Sequence, residues 1–273
     1  MSFLPADPDS PDLAPYRNIH GFRGVTPSAA GPCFLCEGRF LVRRALEGHA
    51  AGAVRVLSVL ATEHAAGELA EFVRGDIPVH IADRKFMEEL AGFAFHRGIL
   101  CCVACPAPPP LSTLLAARRL VVVPHLDGVD NLGLILRSAA ALGMDAVLVG
   151  KGPEVFDRRT VRVSMGAAWK LPVFCGENGE VLPLLEKWRA HETGEGTAQI
   201  AAAALVPGAV DARRWKPAAR TALMLGPEGY GLDEAHLAAC DTKVVIPMRA
   251  GMDSLNVAAC AAILMYQMGV NEP

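Results

Sequence analysis

The sequence has few aromatic residues, no large excess of charge of one sign and no long apolar runs. Only 6 % of its 273 residues are aromatic, and the formal net charge is −3. Hydrophobic residues still make up 52 % and charged residues 20 %, a balance that excludes wholesale disorder. A chain of this length suits two domains, with cores built largely from Ala, Val and Leu.

The N-terminal stretch lacks the pattern of a secretory signal, because it is acidic and broken by prolines rather than basic and then apolar. No apolar run reaches the roughly 20 residues that a transmembrane helix needs. We therefore expect no membrane segment and a cytoplasmic location, in which the eight cysteines stay reduced. Residues 1–20 are expected to form a flexible N-terminus.

Two cysteine pairs have the CxxC spacing that also occurs in zinc and redox sites, Cys33 with Cys36 and Cys102 with Cys105. Residues 99–105 predict an apolar strand, in which positions i and i+3 point to opposite faces and chelate poorly. Buried structural thiols are therefore favoured over a metal site, and we predict no bound metal.

A proline-rich stretch predicts the boundary between two α/β domains. Residues 106–117 are interpreted as a linker between a smaller domain of residues 21–105 and a larger one of residues 118–273. Apolar runs before the linker predict alternating strands and helices, which is typical of an α/β domain. The predicted strands are residues 54–60, 79–82 and 98–104, and the predicted helical stretches are residues 36–46, 65–73 and 86–90.

Six short runs after the linker are apolar throughout rather than alternating, which is typical of strands buried on both faces of a parallel sheet. They are residues 120–124, 146–149, 171–174, 200–204, 222–225 and 244–247. An open parallel sheet binds its ligand at the carboxyl ends of its strands. The segments that follow these runs therefore form the candidate site.

The first informative segment leads from a strand through a turn at Gly128 into a helix. Either Asp130 or Asn131 can cap this helix. Arg137 lies within it, in an otherwise apolar stretch. A long arginine in such surroundings suits a phosphate or carboxylate partner, although an arginine that simply extends to solvent fits the spacing as well.

Two further segments follow later strands. One carries Gly226, Glu228, Gly229 and Gly231, glycines that let a backbone pass close to a ligand. This pattern is neither the GxGxxG of a dinucleotide fold nor a P-loop. The other crosses a loop after Pro247 to an apolar helix, which Ser254 is predicted to cap and in whose first turn Asn256 is expected to lie.

Together the three segments resemble, in order and spacing, the three motifs of the SpoU/TrmH family within the SPOUT methyltransferase superfamily. The family's first motif is Asn-x-Gly, then Ile-x-Arg and a small pair; the second is Gly-x-Glu-Gly-x-Gly; the third is Ile-Pro-Met, then Ser-Leu-Asn-Val. The matching residues are Asn131, Gly133, Ile135, Arg137, Ser138, Ala139, Gly226, Glu228, Gly229, Gly231, Ile246, Pro247, Met248, Ser254, Leu255, Asn256 and Val257. The resemblance covers residues 119–268 and extends more loosely to residues 37–42 and 96–99. The loop before Asn131 is shorter than in many relatives.

The resemblance implies a C-terminal parallel-sheet α/β-knot (SPOUT) domain, with a trefoil knot, beside a smaller N-terminal α/β RNA-binding domain. It also implies S-adenosylmethionine as the cofactor, methyl transfer to a ribose 2′-hydroxyl, and a homodimer that forms through the C-terminal domain. Ribosomal RNA is favoured over transfer RNA as the substrate. The implied cofactor contacts are Leu225, Gly226, Ile246, Met248, Leu255 and Asn256.

The resemblance further implies roles for individual residues. Arg137 would act either as the base or, because guanidinium hardly ever loses a proton, as a clamp for the phosphate beside the target ribose. The residues expected to orient substrate, loops and Arg137 are Asn131, Glu228, Ser254 and Asn256. Apart from Arg137, RNA contacts are expected from local clusters of arginines, at Arg39, Arg43 and Arg162, although a solvated face explains such clusters equally well. Two alternatives remain open, a noncatalytic RNA-binding protein of the same fold and a SPOUT enzyme that methylates a base.

Overall fold

A computed structural model describes residues 3–21, 24–94, 96–176, 179–191, 196–249 and 254–269. The chain divides into two compact units. Unit 1 comprises residues 1–107 and 154–169, and unit 2 comprises residues 108–153 and 170–273. Each unit contains its own β-sheet with helices packed on it, which confirms the α/β fold class.

The elements alternate along the chain. The strands are β1 (Phe3–Pro5), β2 (Thr26–Ser28), β3 (Gly31–Glu37), β4 (Val56–Ala61), β5 (Val79–Ile81), β6 (Ile99–Ala104), β7 (Arg119–His125), β8 (Ala146–Lys151), β9 (Val173–Cys175), β10 (Ala198–Ala203), β11 (Val210–Asp211), β12 (Arg220–Leu225) and β13 (Thr242–Val245). The α-helices are α1 (Arg39–Ala50), α2 (Glu63–Glu68), α3 (Arg84–Ala91), α4 (Leu111–Ala116), α5 (Val129–Ala141), α6 (Arg158–Val163), α7 (Val181–Ala190), α8 (Glu234–Ala238) and α9 (Val257–Gly269). Short 3₁₀ helices lie at Pro11–Tyr16, Ala70–Phe72, Ala167–Trp169 and Ala212–Arg214.

Unit 1 is built on a mixed sheet of six strands in the order β1-β5-β4-β6-β3-β2. β1, β5 and β4 run parallel, whereas β6 is antiparallel to both β4 and β3. The three predicted strands correspond to β4, β5 and β6. The helix predicted from residue 36 begins only at Arg39, because Cys36 completes β3 and Gly38 turns the chain with a φ of +87°.

The N-terminal residues are part of the unit 1 core, so the prediction of a flexible stretch is wrong for the residues described there. Leu13 and Tyr16 are fully buried. The Tyr16 hydroxyl lies 2.9 Å from the carbonyl oxygen of Ser58 and accepts a hydrogen bond from the backbone N–H of Cys102 at 3.0 Å. The acidic and proline-rich composition of this segment gave no indication that Leu13 and Tyr16 are buried. Burial of these two side chains offsets the conformational entropy that the segment loses when it becomes ordered.

Three of the four CxxC cysteines, Cys33, Cys36 and Cys102, lie on neighbouring strands of the unit 1 sheet. The antiparallel register of β3 and β6 places Cys36 opposite Cys101 and Leu35 opposite Cys102. Cys33, Cys36 and Cys102 are buried free thiols, as predicted, whereas Cys105 follows the end of β6 and is only partly buried, so the prediction of a buried thiol is wrong for it. Among the described residues, no group of three or more His, Cys, Asp or Glu side chains could hold a metal ion.

Unit 2 is built on an all-parallel sheet of seven strands in the order β11-β13-β10-β12-β7-β8-β9. The six predicted runs coincide with β7, β8, β9, β10, β12 and β13, and only the two-residue edge strand β11 was missed. Side chains on both faces of the central strands are buried: Leu120 and Val122 pack in a cluster with α4 and α7, and the intervening Val121 is equally buried. Because all strands are parallel, their carboxyl ends share one edge of the sheet.

The unit boundaries differ from the predicted ones in two places. The predicted linker of residues 106–117 contains α4, whose Leu114 is fully buried in the unit 2 core, where the Trp188 indole also donates a hydrogen bond to the carbonyl of Ala117 at 2.8 Å. Residues 154–169, predicted to belong to the C-terminal domain, pack in unit 1 instead. Phe156 and Trp169 stack on Phe34 there, so aromatic contacts explain the assignment.

The longest helices of the described ranges, α5 and α9, have 13 residues each. No helix in the described part of the chain is long and apolar enough to cross a membrane.

Candidate active site

Three polar side chains from the three motif segments meet at the carboxyl edge of the unit 2 sheet. Asn131 donates a hydrogen bond from Nδ2 to Oε2 of Glu228 at 2.9 Å. Asn256 donates from Nδ2 to Oε1 of Glu228 at 2.6 Å and to Oδ1 of Asn131 at 3.0 Å. These residues are separated by up to 125 positions in the chain. We call them the Asn-Glu-Asn cluster.

Asn256 also begins helix α9, and the prediction that Ser254 caps this helix is wrong. The Asn256 side-chain oxygen accepts hydrogen bonds from the backbone N–H groups of Ala258 and Ala259 at 3.0 and 3.3 Å. This is N-cap geometry, so Asn256 precedes the first turn instead of lying in it. One side chain thus uses its oxygen for the helix and its nitrogen for the cluster.

A cavity of about 380 Å³ adjoins the Asn-Glu-Asn cluster, and we call it the motif cavity. It is lined by the ends of β10, β12 and β13 and by the loops that follow them. Of the predicted site residues, the structure brings Leu225, Gly226, Glu228, Ile246, Met248, Ser254 and Leu255 into its wall. Asn256 joins the site through its hydrogen bonds and not through the wall.

Gly226 is required by a close approach of two backbone segments at the motif cavity. A Cβ atom at this position would lie 2.6 Å from the carbonyl carbon of Gly231 and from the nitrogen of Leu232. Gly229, in the same loop, has no atom within 4 Å of the position of its missing Cβ. The first glycine therefore shapes the loop that closes the cavity, and the second does not.

The structure does not bring Arg137 into the Asn-Glu-Asn cluster. Its side chain is exposed on α5, and within the described residues no hydrogen bond or ion pair engages it. Leu134, which shares that face, is 40 % exposed, whereas the buried residues of α5 are Leu132, Gly133, Ile135, Leu136 and Ala139. Helix α5 follows Gly128 without a side-chain cap, so the capping role expected for Asp130 or Asn131 is wrong.

The other predicted arginines belong to unit 1. Arg39 and Arg162 line a cavity of about 680 Å³, together with Arg84, Arg97 and two histidines, and we call it the arginine cavity. The buried carboxylate of Glu37 lies 3.7 Å from Arg162. Arg43 does not line this cavity, because its guanidinium is paired with Glu47 at 2.9 Å on the exposed face of α1.

A second cavity of unit 2, which the sequence analysis missed, lies at the same sheet edge and has a volume of about 240 Å³. We call it the His125 cavity. It is lined by Pro124 and His125 at the end of β7, Lys151 at the end of β8, Gly179, Val181, Leu182, and the loop that carries Pro227, Tyr230, Gly231, Leu232, Asp233 and His236. The rule that ligands bind at strand ends would have pointed to His125 and Lys151, since both follow within two residues of a predicted parallel strand.

Comparison with known protein families gives a match over most of unit 2. The profile of the SpoU rRNA methylase family matches residues 118–266. An uncharacterized tRNA/rRNA methyltransferase of Mycobacterium tuberculosis is 34 % identical, over 96 % of this chain and 89 % of the relative. The 23S rRNA (guanosine-2′-O-)-methyltransferase RlmB of Acinetobacter baylyi is 30 % identical, over 70 % of this chain and 77 % of the relative.

Solved structures give the same result for the fold. The SpoU methyltransferase AviRb from Streptomyces viridochromogenes is similar with a TM-score of 0.71 and 27 % identity, covering 86 % of this chain and 88 % of that one. Its complex with the cofactor AdoMet is similar with a TM-score of 0.69, 26 % identity and the same coverage.

Proposed function

Because the chain belongs to the SpoU rRNA methylase family, we propose that it uses the Asn-Glu-Asn cluster, the motif cavity and Arg137 to methylate a ribose 2′-hydroxyl of ribosomal RNA. The methyl donor is S-adenosylmethionine. The observation that carries the proposal is the hydrogen-bonded contact of Asn131, Glu228 and Asn256, one residue from each motif, beside a cavity lined by the remaining motif residues.

The motif cavity suits S-adenosylmethionine in size and chemistry. Its volume of about 380 Å³ lies within the range of small-molecule sites. Leu225, Ile246 and Leu255 supply apolar wall for an adenine ring, and the backbone passing through Gly226 exposes amide and carbonyl groups at the strand end. When bound, the cofactor supplies an electrophilic methyl group on a sulfonium centre.

Glu228 acts as a positioning residue in this proposal. Its two carboxylate oxygens accept hydrogen bonds from Asn131, from Asn256 and, at 3.3 Å, from the backbone N–H of Val257. A carboxylate occupied by three donors is poorly placed to accept the proton of a ribose hydroxyl. The Glu228 carboxylate instead fixes the position of the loop after β12 relative to the starts of α5 and α9. The residues that line the motif cavity are thereby held in place.

Arg137 is available for RNA, because its exposed guanidinium has no partner among the described residues. A planar guanidinium binds a phosphate in a bidentate manner and stabilises negative charge that develops on the attacking oxygen. We assign it the phosphate beside the target ribose. A role as proton acceptor is chemically poorer, because guanidinium retains its proton in proteins.

We also propose that the protein works as a homodimer through α5 and α9. The two helices pack together, and they leave Leu134, Ile263 and Tyr266 exposed by 40, 43 and 60 %. Apolar side chains of this size on two adjacent helices favour burial against a second copy. Arg137 shares the exposed face of α5 with Leu134, so a dimer would bring it to the partner subunit.

Unit 1 is proposed to hold the RNA outside the reacting nucleotide. Arg39 and Arg162 line the arginine cavity with two further arginines and two glutamates, so cations outnumber carboxylates there, although Arg39 pairs with Glu68 and Arg162 with Glu37. Because Arg43 is paired with Glu47 outside this cavity, we give it only a peripheral role. With ribosomal RNA as its substrate, the enzyme would act in the cytoplasm.

The proposal is tested by incubating the purified protein with unmodified ribosomal RNA and tritiated S-adenosylmethionine. Digestion of the RNA should place the label in 2′-O-methyl nucleotides. Arg137→Ala should abolish the label, whereas Arg214→Ala, at another exposed arginine of unit 2, should retain it. Label on a base instead of the ribose, or cofactor binding without labelling of any RNA, would contradict the proposed reaction.

A further inference from the structure

Two residues that line the His125 cavity, Pro124 and Val181, are closely packed against β8. At Gly150 in β8, a Cβ atom would lie 2.2 Å from the carbonyl oxygen of Pro124 and 2.8 Å from Cγ2 of Val181. Only glycine fits between these atoms. The backbone at Pro124 is therefore held against β8 by close packing.

The His125 cavity also shares a wall with the motif cavity. Pro227, Tyr230, Gly231 and Leu232 line both of them. Tyr230 stands on this wall with 68 % of its surface exposed. A ligand in the His125 cavity would consequently lie directly beside whatever occupies the motif cavity.

A chain of hydrogen bonds holds the ring of Tyr230 in place. Nε2 of His125 lies 3.1 Å from Oδ1 of Asp127, and Nδ1 of His125 lies 2.5 Å from the Tyr230 hydroxyl. The two rings are tilted, with centroids 5.9 Å apart. An exposed aromatic side chain normally loses rotamer freedom when a ligand binds to it. Because these hydrogen bonds already restrict the Tyr230 ring, binding a ligand there costs less conformational entropy.

The remaining groups give the His125 cavity a cationic side and an apolar side. Lys151 is exposed there, and within the described residues no ion pair occupies its ammonium group. The carboxylate of Asp233 is occupied, because it accepts hydrogen bonds from the backbone N–H and from Nδ1 of His236 at 2.9 and 2.7 Å, which lower its pKa. Val181 and Leu182 form the apolar side.

We infer that the His125 cavity binds a nucleotide of the RNA substrate, with its base stacked on Tyr230 and its phosphate at Lys151. This inference rests on the proposed function and adds a substrate site to it. Unstacked bases of single-stranded RNA are bound by aromatic rings, and phosphates by lysine or arginine. A nucleotide held here presents its ribose across the shared wall toward the motif cavity, where the methyl group is supplied.

The test separates RNA binding from cofactor binding in the full-length protein. The variants are Tyr230→Ala, Tyr230→Phe and Lys151→Ala, with Lys187→Ala as the matched control at an exposed lysine of α7. Calorimetry gives the affinity for S-adenosylmethionine, and methylation rates against the concentration of unmodified ribosomal RNA give kcat and KM. Tyr230→Ala should raise KM for RNA by about 5- to 100-fold, the usual effect of losing one stacked base, and Lys151→Ala should raise it by a smaller factor.

Tyr230→Phe keeps the ring but loses the bond to His125, so it should fall between the wild type and Tyr230→Ala. Affinity for S-adenosylmethionine should stay within about twofold in Lys151→Ala, and in the Tyr230 variants it should fall by a much smaller factor than KM for RNA rises. Lys187→Ala should match the wild type in both measurements. Unchanged KM in Tyr230→Ala and Lys151→Ala would overturn the inference and leave the proposed function standing. The inference would also be overturned if Tyr230→Ala lost affinity for S-adenosylmethionine by the same factor as it lost methylation activity. Tyr230 would then contribute to the motif cavity alone.

A readout that needs no catalysis keeps the two proposals apart. RNA transcribed with 4-thiouridine is irradiated with the wild-type protein in the presence of S-adenosylhomocysteine, and the cross-linked peptides are mapped. Cross-links in the peptides containing Tyr230 or Lys151 would support the nucleotide site even if no methylation were detected. Cross-links confined to unit 1 would overturn it.

Discussion

Asn256 and Glu228 are joined by a 2.6 Å hydrogen bond that links the start of helix α9 to the loop after β12. The same Asn256 side chain caps α9 through its oxygen. Folding of the last helix and closure of the motif cavity are therefore coupled through one residue. Substitutions that change only one end of this side chain can separate the two effects.

The first prediction concerns Asn256→Asp and Asn256→Ala. Aspartate keeps an oxygen that accepts hydrogen bonds from the Ala258 and Ala259 N–H groups, so α9 should stay stable. It also places a second carboxylate against Glu228, and this repulsion should weaken binding of S-adenosylmethionine. Alanine loses the cap as well and should lower the free energy of unfolding by about 1 kcal/mol. Denaturant unfolding and calorimetric titration of both variants provide the measurement. Equal loss of stability in the two variants would show that the cap contributes nothing.

The second prediction compares two glycines of one loop. Gly226→Ala should abolish binding of S-adenosylmethionine, because its Cβ would lie 2.6 Å from backbone atoms of Gly231 and Leu232 that cannot move independently. Gly229→Ala adds the same methyl group where nothing lies within 4 Å and should bind the cofactor within about threefold of the wild type. Binding is measured by calorimetry after circular dichroism confirms that both variants are folded. Similar affinities in the two variants would refute the close approach as the reason for Gly226.

Periodicity predicted the parallel sheet well, because buried strands are local patterns. The resemblance named residues that the structure brings together at the carboxyl edge of this sheet, and their roles stay a prediction. Local patterns failed where a distant contact decides the structure. Leu13 and Tyr16 are anchored by partners such as Ser58 and Cys102, far along the chain. Residues 154–169 leave unit 2 because Phe156 and Trp169 stack on Phe34, and no local pattern encodes that contact.

The site was also predicted only in part, for the same reason. The motif spacing identified Asn131, Glu228 and Asn256, but their mutual hydrogen bonds depend on where three strands end in space. Ser254 and Asn256 are both good capping residues, so sequence alone could not choose between them. His125 belongs to no motif and Tyr230 stands at an unspecified position of the second one, so their contact could be found only once the strand ends were placed together in space.

The third prediction tests whether Arg137 serves the partner subunit. Arg137→Ala and Asn256→Asp should each be inactive alone, for different reasons. Mixing the two after mild dissociation should restore activity to about a quarter of the wild-type level, since heterodimers contain one site built from two intact halves. The measurement is incorporation of tritiated methyl groups into ribosomal RNA. Ile263→Asp, at the proposed interface, should give a monomer by light scattering and prevent the recovery.

If the mixture stays inactive although light scattering shows heterodimers, Arg137 acts within its own subunit. If Ile263→Asp remains dimeric, the interface does not involve the exposed face of α9. Each result changes one part of the dimer proposal and leaves the assignment of the motif cavity unaffected.

The last prediction concerns alkaline pH and follows from the buried thiols. Burial raises the pKa of Cys105, Cys240 and Cys260 from 9.0 to about 11 in the folded protein. The unfolded chain ionises these thiols first, so their contribution to stability is complete below pH 9 and is lost as the pH rises toward 11. Near pH 10 the free energy of unfolding should have fallen by about 1 kcal/mol for the buried Cys240, and by less for the partly exposed Cys105 and Cys260. Cys240→Ala should reduce that fall by about the same amount, measured by denaturant unfolding at about pH 8 and about pH 10.

Cys175→Ala, at an exposed cysteine, is the matched control and should leave the fall unchanged. An equal fall in the wild type and Cys240→Ala would mean that Cys240 ionises in the folded state as readily as in the unfolded one, and would exclude its burial as the cause.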